Sequence, residues 1–240
     1  TVSAPAGLSA VNGSQFAIVA TEDDTRVRIL LPVDTTPHSA NAVYEILLDR
    51  GQTYQLRNVD VPGADLTGTR IMSTRPVGVF GGHRFALAPD SDNFFADHMV
   101  EQILPHNTWG NLYIAPPHDT RDETWYRVLA AEDNTDVTVY PTDPSITTND
   151  GTVYFGTSSS HSLNAGEVFE FRTKSAVWVR GDQRIHVSQI SPSADFDGNM
   201  TSDPFMISLQ PSNSWMNSYT LCRPPQEDWP VQRLGLIIVG

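Results

Sequence analysis

Two acidic loops carry the residues whose types and spacing are best suited to bind a metal ion. Asp90 and Asp92 lie in one loop, and Asp195 and Asp197 lie in the other, so that each loop has an Asp-x-Asp arrangement. Calcium takes several hard oxygen ligands, and carboxylates on alternate residues of a turning loop can supply them. The second loop lacks the closing Glu of an EF-hand. These four residues are therefore candidate calcium ligands. The alternative is that the two loops are simply Asx-rich turns. No other cofactor is expected.

A tripeptide that many integrins recognise forms a second candidate site. Arg180, Gly181 and Asp182 lie between the apolar-rich strings VWV and RIHV, where a hairpin is expected to turn. An exposed guanidinium and carboxylate on a tight loop would suit an adhesion receptor. The alternative is an ordinary glycine turn between two strands.

Two sequons predict N-linked glycosylation if the chain is secreted. They are Asn12-Gly13-Ser14 and Asn199-Met200-Thr201. Because Asn199 lies in the second acidic loop, a glycan there would compete with a calcium ion.

No catalytic pattern is found, so no residue is predicted to be catalytic and the chain is not expected to be an enzyme. The sequence has no nucleophile elbow, zinc-protease, P-loop or dinucleotide-binding motif. His83, His98, Glu101 and His106 could in principle bind zinc, but the corresponding positions later in the chain carry other residue types.

Internal similarity is the strongest pattern in the chain. Three pairs of segments match in the same order and at a nearly constant spacing, which indicates a repeated structural unit. The first pair is FAIVATEDDTRVRILLP at 16–32 and YRVLAAEDNTDVTVYPT at 126–142, and the second is ILLDRGQTYQLR at 46–57 and HSLNAGEVFEFR at 161–172. In the third pair, Pro105, Asn107, Trp109 and Tyr113 fall on Pro211, Asn213, Trp215 and Tyr219.

The local pattern of these segments is that of β-strands joined by turns. Strand-length runs alternate or carry β-branched residues, and the TEDDT and AEDNT stretches have hairpin chemistry. Strand pairs are expected to break at Arg75-Pro76 and at Gly181-Asp182, and a short helix is allowed only within 97–104. The prediction is an all-β chain of tandem antiparallel, jelly-roll-like sandwich units at 1–96 and 97–202, with a truncated third unit at 203–240.

The charge and hydropathy of the chain exclude some classes of binding partner. The 240 residues have a formal net charge of -13, and an acidic surface repels nucleic acids and anionic membranes. No apolar run reaches membrane-spanning length, so membrane insertion is not expected. Cys222 is the only cysteine and either pairs outside this segment or is a buried thiol.

Long strings of the chain resemble the N-terminal domain of the IgGFc-binding protein family. The resemblance is carried by DLTGTRIMSTRPVGVFGGH at 65–83, DHMVEQILPHNTWG at 97–110 and the two acidic turns. It implies a secreted, multidomain, non-enzymatic protein that binds glycoproteins or builds extracellular matrix.

The expected function is extracellular protein or glycoprotein binding, adhesion or matrix assembly, with self-assembly into a larger polymer as one form of it. The alternative is a carbohydrate-binding module or a hydrolase-associated domain. A deep pocket with converging acids and aromatic rings would favour that alternative, whereas flat sandwich faces would favour a scaffold.

Overall fold

The computed structural model of the chain describes residues 13–58, 64–88, 95–142, 145–148, 153–155, 158–200 and 202–220. These residues form sixteen strands and two 3-10 turns, and none of them is in an α-helix, which confirms the all-β prediction. The described residues also include no helix of the length and apolarity needed to cross a membrane. The strands are β1 Ser14–Ala20, β2 Thr25–Leu30, β3 Val43–Leu48, β4 Thr53–Arg57, β5 Arg70–Ser73, β6 Val77–Ala86, β7 Asp97–Gln102, β8 Gly110–Ala115, β9 Thr124–Ala130, β10 Thr135–Pro141, β11 Ser145–Thr148, β12 Val153–Phe155, β13 Ser159–Leu163, β14 Val168–Thr173, β15 Val177–Ile190 and β16 Met206–Ser208, and the 3-10 turns span His106–Thr108 and Ser212–Ser214.

The first sandwich is built from β1 to β7 in two antiparallel sheets. One sheet has the strand order β4-β1-β6-β7 and the other has the order β3-β2-β5. Buried and exposed residues alternate along β1 and β2, because successive side chains of a strand point to opposite faces. The inward rows, which include Phe16, Ile18, Val27 and Ile29, pack into one apolar core between the sheets.

The second sandwich, β8 to β16, uses the same plan with one strand shared by both sheets. The 14-residue strand β15 pairs with β10 and β8 through its first half and with β9 and β16 through its second half. Its register shifts between Arg180 and Ile185, and this bulge takes the chain from one sheet to the other. The apolar core includes Tyr113, Tyr126 and Phe171.

Strand pairing has an equivalent register in the two sandwiches. Each pair of facing residues in the first sandwich corresponds to a pair in the second, at nearly the spacing of the sequence repeat. The arrangement of the paired strands therefore recurs, although the side chains differ. The pairs are Ala17–Gln55 and Arg127–Glu170, Val27–Ile46 and Val137–His161, and Gly81–Glu101 and Gln189–Ile207.

The turns predicted as hairpins are corners between sheets, which corrects the sequence prediction. β1 and β2 flank the TEDDT turn, yet they belong to different sheets. β9 and β10 flank the AEDNT turn and likewise do not pair with each other, because they pair with different halves of β15. Asp24 and Asn134 adopt positive φ in these corners. Each corner hydrogen-bonds the neighbouring corner: the Asp24 N–H donates to Asp49 Oδ1, and the Asn134 N–H donates to Asn164 Oδ1.

Two further local predictions are wrong. The segment 97–104, in which the sequence permits a short helix, contains strand β7, because Asp97–Gln102 pairs in register with β6. The expected break at Gly181-Asp182 is a bulge inside the continuous strand β15. The pairing of β7 with β6 also means that a unit boundary between residues 96 and 97 would separate two paired strands.

Close packing of β6 on β7 makes Gly82 sensitive to substitution. A Cβ atom at Gly82 would lie 1.9 Å from the Met99 carbonyl oxygen, so that a methyl group must push the strands apart. We expect Gly82→Ala to lower the free energy of unfolding by about 3 kcal/mol, measured by urea denaturation. The control is Gly51→Asn, at φ 79° with no atom within 4 Å, which should cost less than about 1 kcal/mol. Equal losses in both variants would contradict the packing argument.

Candidate functional site

A cavity of about 220 Å³ separates the two sandwiches. Apolar side chains from both sandwiches line most of it, among them Phe16, Leu66 and Met99 from the first and Leu129 and Ile190 from the second. Charged and neutral polar residues also line it, and they include Ser14, Asp65, His83, Arg127, His186 and Ser188.

A charged triad closes one side of this cavity and joins the sandwiches. Arg127 lies in the middle of β9, and its Nη1 contacts Asp65 Oδ2 at 2.7 Å, across the boundary between the sandwiches. The same Nη1 donates to Thr67 Oγ1 at 2.9 Å. On the other side, Arg127 Nε donates to Glu170 in the neighbouring strand β14. One guanidinium is thus shared by two carboxylates and is not free to bind an anionic ligand.

The two ions at the boundary stabilise each other's charged forms. Burial alone would raise the pKa of Asp65, but the Arg127 charge and the hydrogen bonds from Thr67 and Ser14 outweigh it, so this pKa falls well below its usual range. Burial alone would lower the pKa of Arg127, yet the two carboxylates raise it above its ordinary value. Asp65 and Arg127 are therefore both ionised at neutral pH.

Two imidazoles that face the cavity are neutral at pH 7. His186 is buried, and burial lowers its pKa to about 4. Its Nε2 has no hydrogen-bond partner within the described residues, and its ring lies 5.1 Å from the Trp109 ring. Burial also lowers the pKa of His83, whose Nδ1 accepts the Phe85 N–H. A general base at neutral pH needs a pKa near 7, so these groups suit packing better than proton transfer.

The second acidic loop contains another buried ion pair. The side chains of Asp197 and Arg121 are only 3% and 2% exposed, and Arg121 donates Nε and Nη2 to the two carboxylate oxygens. Burial would raise the pKa of Asp197, but the hydrogen bonds from Arg121 and from the backbone of Asp122 and Asn199 lower it. Arg121 also donates to the Pro192 and Ser193 carbonyl oxygens, and thereby holds the loop closed.

The predicted calcium ligands are only partly placed. Asp90 and Asp92 lie outside the described residues, while Asp197 is the counter-ion of Arg121, and Asp195 Oδ1 accepts the Phe95 N–H. Within the described part of the chain, no three His, Cys, Asp or Glu side chains are grouped closely enough to hold a metal ion. The calcium site stays a prediction.

The integrin-type tripeptide lies at the bulge of β15. Arg180 and Gly181 pair with β10, and Asp182 Oδ1 accepts the Asp136 N–H at 2.8 Å. In the first sandwich the Thr74 hydroxyl accepts the Arg26 N–H in the equivalent place. Asp182 thus satisfies a backbone donor at the start of a strand, and integrin recognition stays a prediction.

Only one of the two sequons can be placed. Asn12 lies outside the described residues. Asn199 follows Asp197, and its side-chain amide donates to Thr120 at the carbonyl oxygen. Glycosylation of either residue stays a prediction.

The outer face of the sheet β3-β2-β5, called here the basic-apolar face, combines arginines with exposed apolar side chains. Leu47, Val43 and Met72 are 55%, 48% and 54% exposed. They are interleaved with charged residues in adjacent strands, where Leu47 is opposite Arg26 and Met72 is opposite Arg28. The charged residues of this face are Arg26, Arg28, Glu45 and Arg70. Three cations and one anion thus form a locally positive surface on a chain of net charge -13.

Sequence reasoning missed the triad and the basic-apolar face. A signal for the triad exists in the repeat, because Arg127 replaces Ala17 and Glu170 replaces Gln55 at equivalent paired positions. A buried arginine opposite a glutamate on a neighbouring strand predicts an ion pair. No such signal identifies Asp65, which reaches Arg127 from a loop far away in the sequence.

Comparison with known proteins agrees with the resemblance read from the sequence. A family model described as IgGFc binding protein matches residues 2–239. The chain is also similar to the human "IgGFc-binding protein", with 26% identity over 227 residues. That alignment covers 92% of this chain and 4% of the human protein. No solved structure matches the chain. The predicted family is confirmed.

We expect Arg127→Met to destabilise the chain strongly, because it removes the buried cation that contacts both Asp65 and Glu170. The expected loss in the free energy of unfolding is about 3–5 kcal/mol, measured by urea denaturation. Arg26→Met is the matched control, since Arg26 and Glu45 form an exposed pair, and it should cost less than about 1 kcal/mol. Adding Asp65→Asn and Glu170→Gln to Arg127→Met should recover most of the loss. Equal effects of Arg127→Met and Arg26→Met would contradict this assignment.

His186 should make stability fall as the pH decreases. Its pKa is about 4 in the folded state and about 6.5 in the unfolded state, so the unfolded state binds the extra proton in between. The contribution of neutral His186 to the free energy of unfolding is complete above about pH 6.5. Roughly 2 kcal/mol of it is lost when the pH falls to about 4.5.

The check is urea denaturation of His186→Leu at both pH values. Its free energy of unfolding should fall by about 2 kcal/mol less than that of the wild type between these pH values. His98→Asn, which removes an exposed imidazole on β7, is the control. A wild-type pH dependence in His186→Leu would show that His186 does not titrate on unfolding.

Proposed function

The chain belongs to the IgGFc binding protein family, and from this premise we propose that it is a non-enzymatic extracellular module that binds another protein or glycoprotein. The chain spans 4% of the human relative's length, so the partner of that whole protein is carried over only as a proposal. The proposed partner is the Fc part of immunoglobulin G, taken from the name of the relative. The extracellular location is proposed from the family, and in that location the two sequons would be available for glycosylation.

The basic-apolar face is the observation that carries the proposal. Protein interfaces are enriched in Met and Arg and depleted in Lys, and the face presents Met72 among three arginines. Arginine is also the cation best suited to bidentate contacts with carboxylates. An exposed apolar surface rimmed by charge is typical of a protein-binding site.

The chemistry of the face defines the surface that it should recognise. The three arginines favour a partner surface with carboxylates, and the apolar side chains between them favour a partner with apolar side chains at the centre. The acidic remainder of the chain repels an acidic partner elsewhere, and therefore directs it to this face.

The joint between the sandwiches supports a scaffolding role. The ion pair of Arg127 with Asp65 and the apolar contacts of Met99 with Ile190 connect the sandwiches. Two units held in this way would present the face in a fixed orientation. We also propose that each sandwich is one copy of a module that is repeated in tandem.

The test is biolayer interferometry of the chain on immobilised IgG Fc. Leu47→Glu should weaken binding by at least about tenfold, because it places a carboxylate among the exposed apolar side chains of the face. Arg28→Glu should do the same, because it leaves two cations and two anions on the face and so removes its net positive charge. Ser162→Glu is the matched control, since Ser162 occupies the equivalent strand position in the second sandwich, and it should bind as the wild type.

Two results would contradict the proposal. Absence of binding at about 100 µM chain would remove Fc as the partner. Binding that is equally strong in Leu47→Glu, Arg28→Glu and the wild type would remove the basic-apolar face as the site.

A further inference from the structure

The cavity between the sandwiches has the size of a small organic molecule. Its volume of about 220 Å³ exceeds the roughly 150 Å³ of an apolar protein cavity that is known to hold benzene. Drug-sized ligands need larger pockets, of at least about 300 Å³. A benzene ring with one or two small substituents is therefore the kind of molecule that the cavity can hold.

Most of the polar side chains that line the cavity are already paired within the fold. The Ser14 hydroxyl donates to Asp65 and accepts the Leu66 N–H. Thr69 Oγ1 donates to the Leu66 carbonyl oxygen, and Arg127 contacts Asp65. A charged ligand would find these ions already neutralised, and a sugar would find these hydroxyls already bonded. The paired lining therefore favours an uncharged and mainly apolar ligand.

His186 and Ser188 differ from this paired lining. Both line the cavity, and they occupy alternate positions of β15, so they lie on the same face of the strand and about 7 Å apart. His186 Nε2 is buried and has no hydrogen-bond partner in the part of the chain that the structure describes. Because a buried polar atom without a partner is costly, a ligand that offers one polar group to this imidazole is favoured.

The chemistry of His186 indicates which polar group this is. Burial lowers its pKa to about 4, so the ring is neutral at pH 7 and has one nitrogen that donates and one that accepts. A hydroxyl group can do either, and so pairs with the imidazole in both tautomers. Phe16, Trp109 and Met99 are among the other lining residues, and aromatic rings and thioethers pack well against an aromatic ligand.

Water suits this cavity less well than an organic molecule does. One water occupies about 30 Å³ in the liquid and needs two to four polar partners, so several waters would be required to fill the cavity. Most of the polar groups at its wall have partners within the fold, and much of the wall is apolar. A single molecule with an apolar ring and one hydroxyl matches the wall more closely.

We propose that the cavity between the sandwiches binds a small uncharged aromatic alcohol of the phenol class. Its ring lies among the apolar side chains, and its hydroxyl is hydrogen-bonded by the His186 imidazole and the Ser188 hydroxyl. Because both sandwiches line the cavity, the bound molecule contacts both and stabilises the folded pair. None of the residues that define the basic-apolar face is among those lining the cavity, so the proposal stands independently of Fc binding.

Methyl NMR of the intact chain with p-cresol as the probe tests this site. p-Cresol is uncharged at pH 7, because phenols have a pKa near about 10. Of the five methionines, Met99 and Met206 line the cavity, whereas Met72, Met200 and Met216 are 54%, 58% and 69% exposed and serve as internal controls. Only the methyl resonances of Met99 and Met206 should shift saturably, with a Kd on the order of 1 mM or tighter.

A second probe tests the hydrogen bond to the hydroxyl. p-Xylene has a methyl group in place of the hydroxyl of p-cresol, and should bind to the wild type at least about fivefold more weakly. His186→Phe keeps a ring and removes both nitrogens, so the preference for p-cresol should fall to about twofold or less.

Filling the cavity should abolish the binding of both probes. Ser188→Leu places a larger side chain in the cavity and should weaken p-cresol binding by at least about tenfold. Ser160→Leu is the matched control, since it makes the same substitution at an exposed serine on β13, and it should bind p-cresol as the wild type does.

Several results would overturn the proposal. If p-cresol causes no saturable shift at Met99 and Met206 in the wild type, the cavity is filled by the chain itself or by water. Equal shifts at the exposed methionines place p-cresol on the surface. Equal p-cresol affinity in Ser188→Leu and Ser160→Leu also overturns the site, and an undiminished preference for p-cresol in His186→Phe overturns the role of the imidazole. If Ser188→Leu does not fold, the methionine shifts and His186→Phe still decide.

Discussion

The relation between the two sandwiches depends on one buried cation. Arg127 projects from the centre of a strand, where the equivalent residue of the first sandwich is Ala17. A buried guanidinium at that position needs carboxylates in contact with it, because an unpaired buried charge lowers the free energy of unfolding by several kcal/mol. Glu170 is supplied by the same sandwich, but Asp65 is supplied by the other. The charge of Arg127 can therefore be fully paired only when both sandwiches are folded and in contact.

Most of the ionisable side chains near the cavity are engaged in contacts within the fold. Asp65 and Glu170 are counter-ions, His186 is held neutral by burial, and its ring packs against Trp109. The second acidic loop follows the same rule, because Asp197 neutralises Arg121 in a nearly closed site. Buried polar groups that are already paired stabilise a fold.

The all-β fold and the recurrence of segments could be predicted from the sequence, because both depend on local patterns. The positive φ at Asp24 and Asn134 is likewise a local property of Asp and Asn in turns. The hairpin prediction failed because a turn of that kind fits both a hairpin and a corner between sheets, and the choice depends on which strands share a core. The contact of Asp65 with Arg127 depends on how two separate units meet, which no local pattern contains.

The repeated frame also shows how one backbone can carry two different surfaces. At equivalent positions on the outer faces, the first sandwich has Arg28 and Leu47 and the second has Thr138 and Ser162. The inward rows of β2 and β10 are mainly apolar, with Val27 and Ile29 in one and Val137 and Val139 in the other, because each row faces a core, whereas the outward rows differ. A chain with an excess of carboxylates can therefore gather arginines on one face without disturbing either core. The two sandwiches thus share the strand arrangement that forms their cores, while the residues on their outer faces differ.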